Sequence, residues 1–431
     1  MTAPTYHVPE EETLDRAGLA RLQRAKLGAM LGEVLKSNEF YRAKYAGLNF
    51  DAARDPIHAL PFTTRAELEA GQVARPPYGT NLTYPVERYC RYHQTSGSGG
   101  RPMRWLDTAE SWNWFKKLWG IIFRAAGVGP GDRVFFPFSF GPFVGFWAAF
   151  EGAAALGNLA VPAGGLTTTA RLKMMLDNGA AVVCCTPTYA LRMAEVAREE
   201  RIDLSGSAVR KLIVAGEPGG SIPEVRERIQ REWGARVFDH TGMTEIGALG
   251  FECEQAPGSV HLVESECIAE AIDPTTGHPV PDGEPGELVL TNLGRWGSPL
   301  IRYRTNDRVR IARNKCACGR SFARMEGGIL GRFDDMITVR GNNVFPTAVE
   351  AIVRRFPEVE EFRVRVIGTG SLGEVKVELE PTESAAASAA ELAGRVSRML
   401  QDSLSFRADV TAVPRGTLPR FEMKAKRFVR E

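Results

Sequence analysis

Residues His93 to Pro102 read HQTSGSGGRP, so Thr95, Ser96, Gly97 and Ser98 stand in one short run closed by two more glycines. Glycine lets a backbone approach an anion closely, hydroxyl groups add donors, and successive amides can form an anion-binding nest. Arg101 places a positive charge beside them. The chemistry open to such a run is phosphate binding. It is not the Walker pattern, because no Gly-Lys-Ser/Thr ending follows. Out of context the same residues also make an ordinary surface turn. A second chemical set is Cys253 in FECEQ, His261 in SVHLV, and Cys316 with Cys318 in KCACGR. Thiolate and imidazole are zinc ligands, and Cys-X-Cys-Gly is a tight turn that can aim two sulfurs at one ion. The alternative is four unrelated reduced side chains. Cys184 and Cys185 lie in a run that reads as a core strand, and Cys90 and Cys267 show no partner pattern.

The elements that must position these groups are legible as period changes. RAGLARLQRAKLGAMLGEVLKSNEFYRAKY has helical spacing, and the helix-like run from Ser111 carries Trp112, Trp114 and Trp119 as a packing face. From about residue 130, DRVFFPF, AAVVCCT, KLIVAG and ARVFDH read as strands, with VGFWAAFEGAAALG, LRMAEVAREE and VRERIQREW as helices between them. Strands alternating with helices predict a mainly parallel, doubly wound α/β sheet, which binds ligands at the carboxyl ends of its strands. A β-subdomain is expected over about 250–330. After GRFDDM, strands ITVRG, EFRVRVIG, EVKVELEP and ADVTAVPRG mix with helices over 346–355 and 385–404. The expected division is a large N-terminal domain, 1–332, and a small mobile α+β domain, 333–431.

The chain has 431 residues, 54 Lys plus Arg against 52 Asp plus Glu, and a formal charge of +2. That balance gives no field for nonspecific nucleic-acid binding. No stretch approaches a bilayer-spanning apolar run, and the start, MTAPTYHVPEEETLDRAG, lacks the apolar segment of a secretory signal. A cytoplasmic setting with reduced thiols is expected from the seven cysteines in a chain of this length.

The order of five segments carries a family resemblance: HQTSGSGGRP, FDHTGMTEIG, GELVLTNL before PLIRYRTNDRVRI, GRFDDMITVRGNNVFPTAVE, and the ending LPRFEMKAKRFVRE. The series resembles the adenylate-forming superfamily of acyl-CoA synthetases, and RYRTND, GRFDDM, RGNNVFP and CACGR are most similar to its phenylacetate-CoA ligase branch. The resemblance implies an ATP-dependent ligase that activates a carboxylic acid, expected to be aromatic, as acyl-AMP with release of pyrophosphate. It then passes the acyl group to coenzyme A. It implies Thr95, Ser96, Gly97 and Ser98 on the phosphates, and Gly216, Glu217 and Pro218 beside the adenine. Asp239, His240, Thr241, Gly242 and Met243 belong to the same nucleotide site. Glu245 takes Mg²⁺ with Thr244 beside it; Asp307 takes the ribose hydroxyls; Arg332 lies near the nucleotide or in an interdomain salt bridge. Lys424 is the catalytic lysine, with Lys426 and Arg427 as rivals, and Asp334 is the hinge. Phe138, Phe140, Phe143 and Phe146, with Gly164 and Gly165, line an acyl pocket or the core. Some relatives carry structural zinc on a set like the cysteines and histidine above.

Departures accompany the match. Gly99 stands where Thr or Ser is usual, Arg101 where Lys is common, Met423 replaces a glycine before the lysine, and Thr241 replaces an aromatic residue. Two other readings stay open. In one, the acyl group goes to a carrier protein, an amine or a hydroxyl; in the other, the chain is an inactive nucleotide-binding scaffold. The expected partners are a small carboxylic acid, ATP and coenzyme A, with no nucleic acid or membrane, and a homodimer is left open.

Overall fold

A computed structural model describes residues 4–95, 101–339, 342–368, 374–404, 408–422 and 424–431. The chain opens with helices α1 (Pro9–Glu12), α2 (Arg16–Ser37) and α3 (Glu39–Lys44). The long helical run expected here is split at Asn38, whose side chain accepts the Tyr41 N–H (3.1 Å) and so caps α3. Helix α4 (Arg65–Ala74) starts on a Thr64/Glu67 capping box. Strands β1 (Tyr89–Gln94) and β2 (Arg104–Thr108) pair antiparallel as a hairpin, and the hydroxyl-glycine run stands between them in the sequence. Thr108 then caps α5 (Ala109–Ala125).

The alternating region follows as β3 (Arg133–Phe136), α6 (Val144–Ala155), β4 (Leu159–Pro162), α7 (Thr168–Asp177), β5 (Val182–Cys185), α8 (Pro187–Glu199), β6 (Lys211–Ala215), α9 (Pro223–Trp233) and β7 (Arg236–Met243). Its five strands are parallel in the order β4-β3-β5-β6-β7. Period-two side-chain alternation loads both faces. Val134, Phe136, Val182, Cys184, Ile213 and Phe238 pack under α5 and α6. Phe135, Val183, Cys185, Leu212, Val214 and Val237 pack under α7, α8 and α9. The doubly wound reading holds, and Cys184 and Cys185 are packing residues on opposite faces.

Strand β8 (Gly247–Glu252) turns back antiparallel on β7. With β9 (Ser259–Leu262), β10 (Cys267–Ile272), β11 (Pro285–Asn292), β12 (Tyr303–Ala312), β13 (Arg324–Glu326) and β14 (Gly331–Arg332), it extends the same sheet to twelve strands, β10-β11-β12-β13-β9-β8-β7 and onward, with β14 on β12. The β-rich stretch is therefore hydrogen-bonded to the parallel sheet rather than detached from it. The reason is edge pairing: β8 covers the open edge of β7.

A separate core follows. A hairpin of β15 (Ile337–Val339) and β16 (Asn342–Val344) leads into α10 (Pro346–Val353), β17 (Val359–Ile367), β18 (Glu374–Pro381), α11 (Ala389–Leu404), β19 (Asp409–Ala412) and β20 (Phe428–Arg430). The last four strands form one sheet, β19-β18-β17-β20. Val349, Val353, Phe362, Val377, Leu392 and Leu400 fill its core, apart from the clusters of the large sheet. The alanine-rich stretch makes a 3₁₀ turn over Glu383–Ser388 before α11. Arginines bridge this body to α8 and α9: Arg228 donates to the Val359 carbonyl (2.6 Å) and to Glu360 (2.9 Å), and Arg420 joins Glu195 (3.0 Å) to Glu380. Among the described residues no helix is long and apolar enough to cross a membrane.

Helices α5 and α6 meet with almost no clearance at Gly152, where an added β-carbon would lie 2.4 Å from Cβ of Trp119. Gly152→Ala is expected to cost about 1–3 kcal/mol by overpacking. Urea denaturation of wild type and variant measures it, and superimposable curves would rule out this close approach.

Candidate active site

The carboxyl ends of the parallel strands lie along one edge, and the sequence motifs follow them directly. Phe138, Phe140 and Phe143 come after β3, Gly164 and Gly165 after β4, Gly216, Glu217 and Pro218 after β6, and Thr244 and Glu245 after β7. Parallel direction alone brings these loops together. The β1–β2 hairpin meets this edge at the loop after β3. Thr95 fastens its base: its N–H donates to the Met103 carbonyl (3.0 Å) and its hydroxyl accepts the Met103 N–H (3.0 Å). Ser96, Gly97 and Ser98 lie outside the described residues. The Gln94 N–H donates to the Pro142 carbonyl (2.9 Å), joining this hairpin to the phenylalanine-rich loop.

Lys424 reaches the same edge from the C-terminal body. Its Cε lies 3.5 Å from the place a β-carbon on Gly216 would take, in ordinary contact, and Gly216 has φ +94°, so the backbone calls for glycine there. The Ala425 N–H donates to Oε2 of Glu217 (2.7 Å), whose Oε1 accepts the Thr188 N–H (2.8 Å). Glu422 pairs with the buried Arg171 (3.1 Å). The Glu217 carboxylate thus holds the lysine's segment, a use that the adenine assignment did not foresee. The Lys424 side chain opens onto the cleft, but protein crowding around it lowers its pKa. The charges of Glu217 and Glu245 oppose that fall. Its rivals are placed differently: Arg427 is buried in ion pairs with Glu361 (2.7 Å) and Glu350 (3.3 Å), and Lys426 makes no ion pair among the described residues.

Asp307, on β12, is 2% exposed. Its Oδ1 accepts from Arg332 (3.3 Å), while Oδ2 is buried without a partner. A buried acceptor left open costs free energy until a donor fills it. Burial pushes the carboxyl up to about 7; Arg332 pulls it down, and Asp334 and Glu245 push it further up. Arg332 also holds both oxygens of the exposed Asp334 (3.0 and 2.8 Å), so it spans the junction after β14. Oε1 of the buried Glu245 accepts from the Tyr303 hydroxyl (3.2 Å).

The β7 motif divides its work. Asp239 is buried, accepts from the Ser221 hydroxyl (2.5 Å) and is pushed by burial to about 7. His240 is buried against Trp119 (ring centroids 4.6 Å), with Nδ1 at the Gly250 carbonyl (2.6 Å); burial lowers its pKa to about 4, so it is a neutral wall. Thr241 and Met243 are half-buried, and Gly242 is exposed. Gly242 has no room for a side chain, because a β-carbon would lie 2.9 Å from the Gly247 carbonyl oxygen. Phe138 is core, stacked on Phe146 (4.0 Å), whereas Phe140, Phe143 and Phe146 are half-buried. A side chain at Gly164 would press on the Phe138 carbonyl (3.1 Å), and Gly165 has φ +77°.

Cys253, His261, Cys316 and Cys318 converge, with ligand atoms all within 4.8 Å of one another and every residue buried. The Cys253 and Cys316 sulfurs are 3.8 Å apart, and the Cys318 sulfur is 3.5 Å from His261 Nε2. Tetrahedral zinc with Zn–S of about 2.3 Å requires edges near 3.8 Å, so the donor set fits that ion. His261 Nδ1 lies 3.3 Å from the Phe322 carbonyl, the outer contact that turns Nε2 toward a metal. Because β8 runs back along β7, Cys253 lies near the start of β7, where Arg236 reaches the Glu254 carbonyl (2.9 Å), on the edge away from the cleft.

Two residues here had no role assigned from the sequence: Tyr303, inside the RYRTND segment, which contacts Glu245, and Arg295, outside every motif segment, which donates to the Thr244 (2.7 Å) and Glu245 (2.8 Å) carbonyls. An arginine isolated among apolar and glycine residues in TNLGRWGSPL was the available hint.

The model of AMP-binding enzymes matches residues 92–294, and that of the AMP-binding enzyme C-terminal domain matches 341–431. The chain is 31% identical to phenylacetate-coenzyme A ligase of Thermus thermophilus over 96% of each protein. Its structure is similar to 2-hydroxyisobutyryl-CoA ligase in the postadenylation state with its acyl-AMP (TM-score 0.93, 28% identity, 98% of this chain and 92% of that one). The same ligase in the thioesterification state with acyl-AMP and coenzyme A matches at TM-score 0.74, with 28% identity over 98% and 92%.

The raised Asp307 has a pH consequence. Below about 7 its carboxyl holds a proton in the free protein, and a ligand whose hydroxyls donate to it must displace that proton. ATP affinity is expected to fall about tenfold from pH 8 to pH 6 and to level off above pH 8. Calorimetric titration in wild type and Asp307→Asn checks this; an equal pH slope in both would remove Asp307 from the effect.

Proposed function

This chain belongs to the phenylacetate-coenzyme A ligase family of AMP-binding enzymes and performs ATP-dependent acid–CoA ligation, and on that premise we propose roles for its residues and a class of acid. The observation that carries the reading is Lys424 held at the cleft beside Gly216 by the Glu217–Ala425 bond.

In the first half-reaction a carboxylate oxygen bonds to the α-phosphorus of ATP as the bond to pyrophosphate breaks. Two anions must meet, so the site has to supply positive charge where negative charge gathers. Lys424 supplies it as a mobile ammonium. Thr95 and the loop after it bind the phosphates. The open Oδ2 of Asp307 takes the ribose hydroxyls, and Glu217 and Gly216 border the adenine. Glu245, kept in place by Tyr303, is the oxygen ligand suited to Mg²⁺, which would offset phosphate charge. In the second half-reaction the coenzyme A thiol attacks the acyl carbonyl and AMP leaves. The C-terminal body swings about Asp334 between the two, breaking the Arg332–Asp334 pair and withdrawing Lys424. The better match to the postadenylation state than to the thioesterification state supports assigning the present arrangement to the first half-reaction.

The acid proposed is flat and apolar, an aromatic carboxylic acid, supported by the half-buried Phe140, Phe143 and Phe146 beside Gly164 and Gly165. Structural zinc is proposed on Cys253, His261, Cys316 and Cys318. It would fasten β8 and β9 to the loop before β13, and metal binding there would couple to folding.

Pyrophosphate release over arylacetic, benzoic, cinnamic and short branched hydroxy acids, with and without coenzyme A, tests the acid class. A preference for the short hydroxy acids would reject the aromatic assignment. Lys424→Ala is expected to lower acyl-AMP formation about 10²- to 10³-fold while ATP binding is largely kept. An unchanged adenylation rate would move that role to another cation. Metal analysis is expected to find about one zinc per chain, and Cys318→Ser to lose it with a lower Tm. A folded, metal-free wild type would reject the site.

A further inference from the structure

Arg295 is completely buried (0% exposed), and it lies between two elements of the active site rather than in either. Its Nε and Nη2 donate to the two oxygens of Asp107 (2.6 and 2.8 Å), and Nη1 donates to the carbonyls of Thr244 (2.7 Å) and Glu245 (2.8 Å). The guanidinium plane also lies against Trp105 (5.2 Å) and Phe115 (5.1 Å). Asp107 and Trp105 belong to β2, the outgoing strand of the hairpin whose loop begins at Thr95. His93, on the incoming strand, stands opposite Trp105 in register, and its Nδ1 is 3.6 Å from Asp107. Burial pushes the Asp107 pKa up, but the Arg295 charge, together with the hydrogen bonds from His93 and Arg295, outweighs it and holds the carboxyl below the usual carboxylate range.

One rigid fork therefore faces the phosphate-loop hairpin with one edge and the turn after β7 with the other. The two carbonyls it holds are consecutive in the turn after β7. That fixes the peptide planes from which the Thr244 and Glu245 side chains leave. The Glu245 side chain is held separately by Tyr303 (3.2 Å), so backbone and carboxylate have different anchors.

We propose that Arg295 is a positioning residue for adenylation: through Asp107 and the carbonyls of Thr244 and Glu245 it locks the phosphate-loop hairpin to the turn bearing Glu245, so that both sides of the triphosphate site keep one spacing. A lysine keeps the charge but cannot bridge a bidentate carboxylate and two carbonyls at once. Misplacement of a reacting group by about 1 Å costs of the order of 100-fold in rate. The proposal rests on the assignment of Glu245 to the phosphate–metal region.

The test is ATP–pyrophosphate exchange with the acid that is most active on wild type, in Arg295→Lys, Glu245→Gln and the double variant, with Tm recorded for each. Arg295→Lys is expected to lower kcat/KM for MgATP about 30- to 100-fold. In the Glu245→Gln background the same change is expected to cost less than about threefold, because residues that act through one another are not additive. Transfer from preformed acyl-AMP to coenzyme A is expected to change less than about twofold, since it needs no triphosphate. Full multiplication of the two losses, or equal losses in both half-reactions, would overturn the proposal in favour of a purely structural ion pair. An unchanged rate in Glu245→Gln would remove the Glu245 assignment and the proposal with it. A loss in Glu245→Gln but none in Arg295→Lys would overturn only the proposal. If Arg295→Lys does not fold, Asp107→Asn, which keeps the side-chain shape, is read the same way; failure of both to fold also overturns it.

Discussion

The contact that the rest of this molecule serves is between the Lys424 segment and the loops at the carboxyl edge of the parallel sheet. Charge explains why it matters. A carboxylate and a triphosphate repel, and the repulsion grows as water is excluded, because the effective dielectric falls. An ammonium brought to that place, the role proposed for Lys424, would turn repulsion into attraction. It must also be removable if a thiol is to enter afterwards. The attachments suit both needs: the Ala425–Glu217 bond, the Arg171–Glu422 pair and the Arg228 bonds to β17 are polar links between two bodies with separate cores. Polar interfaces of this kind separate at lower cost than a shared apolar core.

The large body supplies the opposite quality. Five parallel strands, covered on both faces, place their loops along one edge, and the apolar packing below gives those loops a rigid base. The sheet does not by itself fix the hairpin of β1 and β2, which forms its own two-stranded sheet. Buried charge ties it in, through Asp107 and Arg295. A buried ion pair is seldom a net source of stability, since desolvation offsets the attraction. Its value here is geometric, because a bidentate fork accepts little variation in distance or angle.

The cysteine–histidine cluster sits at the other edge of the sheet. The N-terminal segment packs on it, with the Tyr6 hydroxyl donating to the Cys318 carbonyl (2.8 Å) and Arg320 paired with the buried Glu12. The antiparallel extension and the N-terminus are thus fastened together at a distance from the cleft. That is where a structural ion would strengthen the sheet without altering the charge of the site.

Much of this was legible in the residues alone, and the reason is locality. Short continuous apolar runs such as Val134 to Phe136 and Val182 to Cys185 announce strands buried on both faces, and the helices between them announce a parallel sheet. Parallel direction then places Gly216, Thr244 and Phe138 at one edge with no further information. Tertiary structure alone decided three things. Lys424 lies beside Gly216 while Arg427 is spent on Glu361; Glu217 spends its carboxylate on the lysine's own segment; and Arg295 joins two loops that no motif connects. Each depends on the approach of groups from tens to more than two hundred residues apart, and such approach is set by how whole bodies pack. Neighbouring residues along the chain carry almost no record of it.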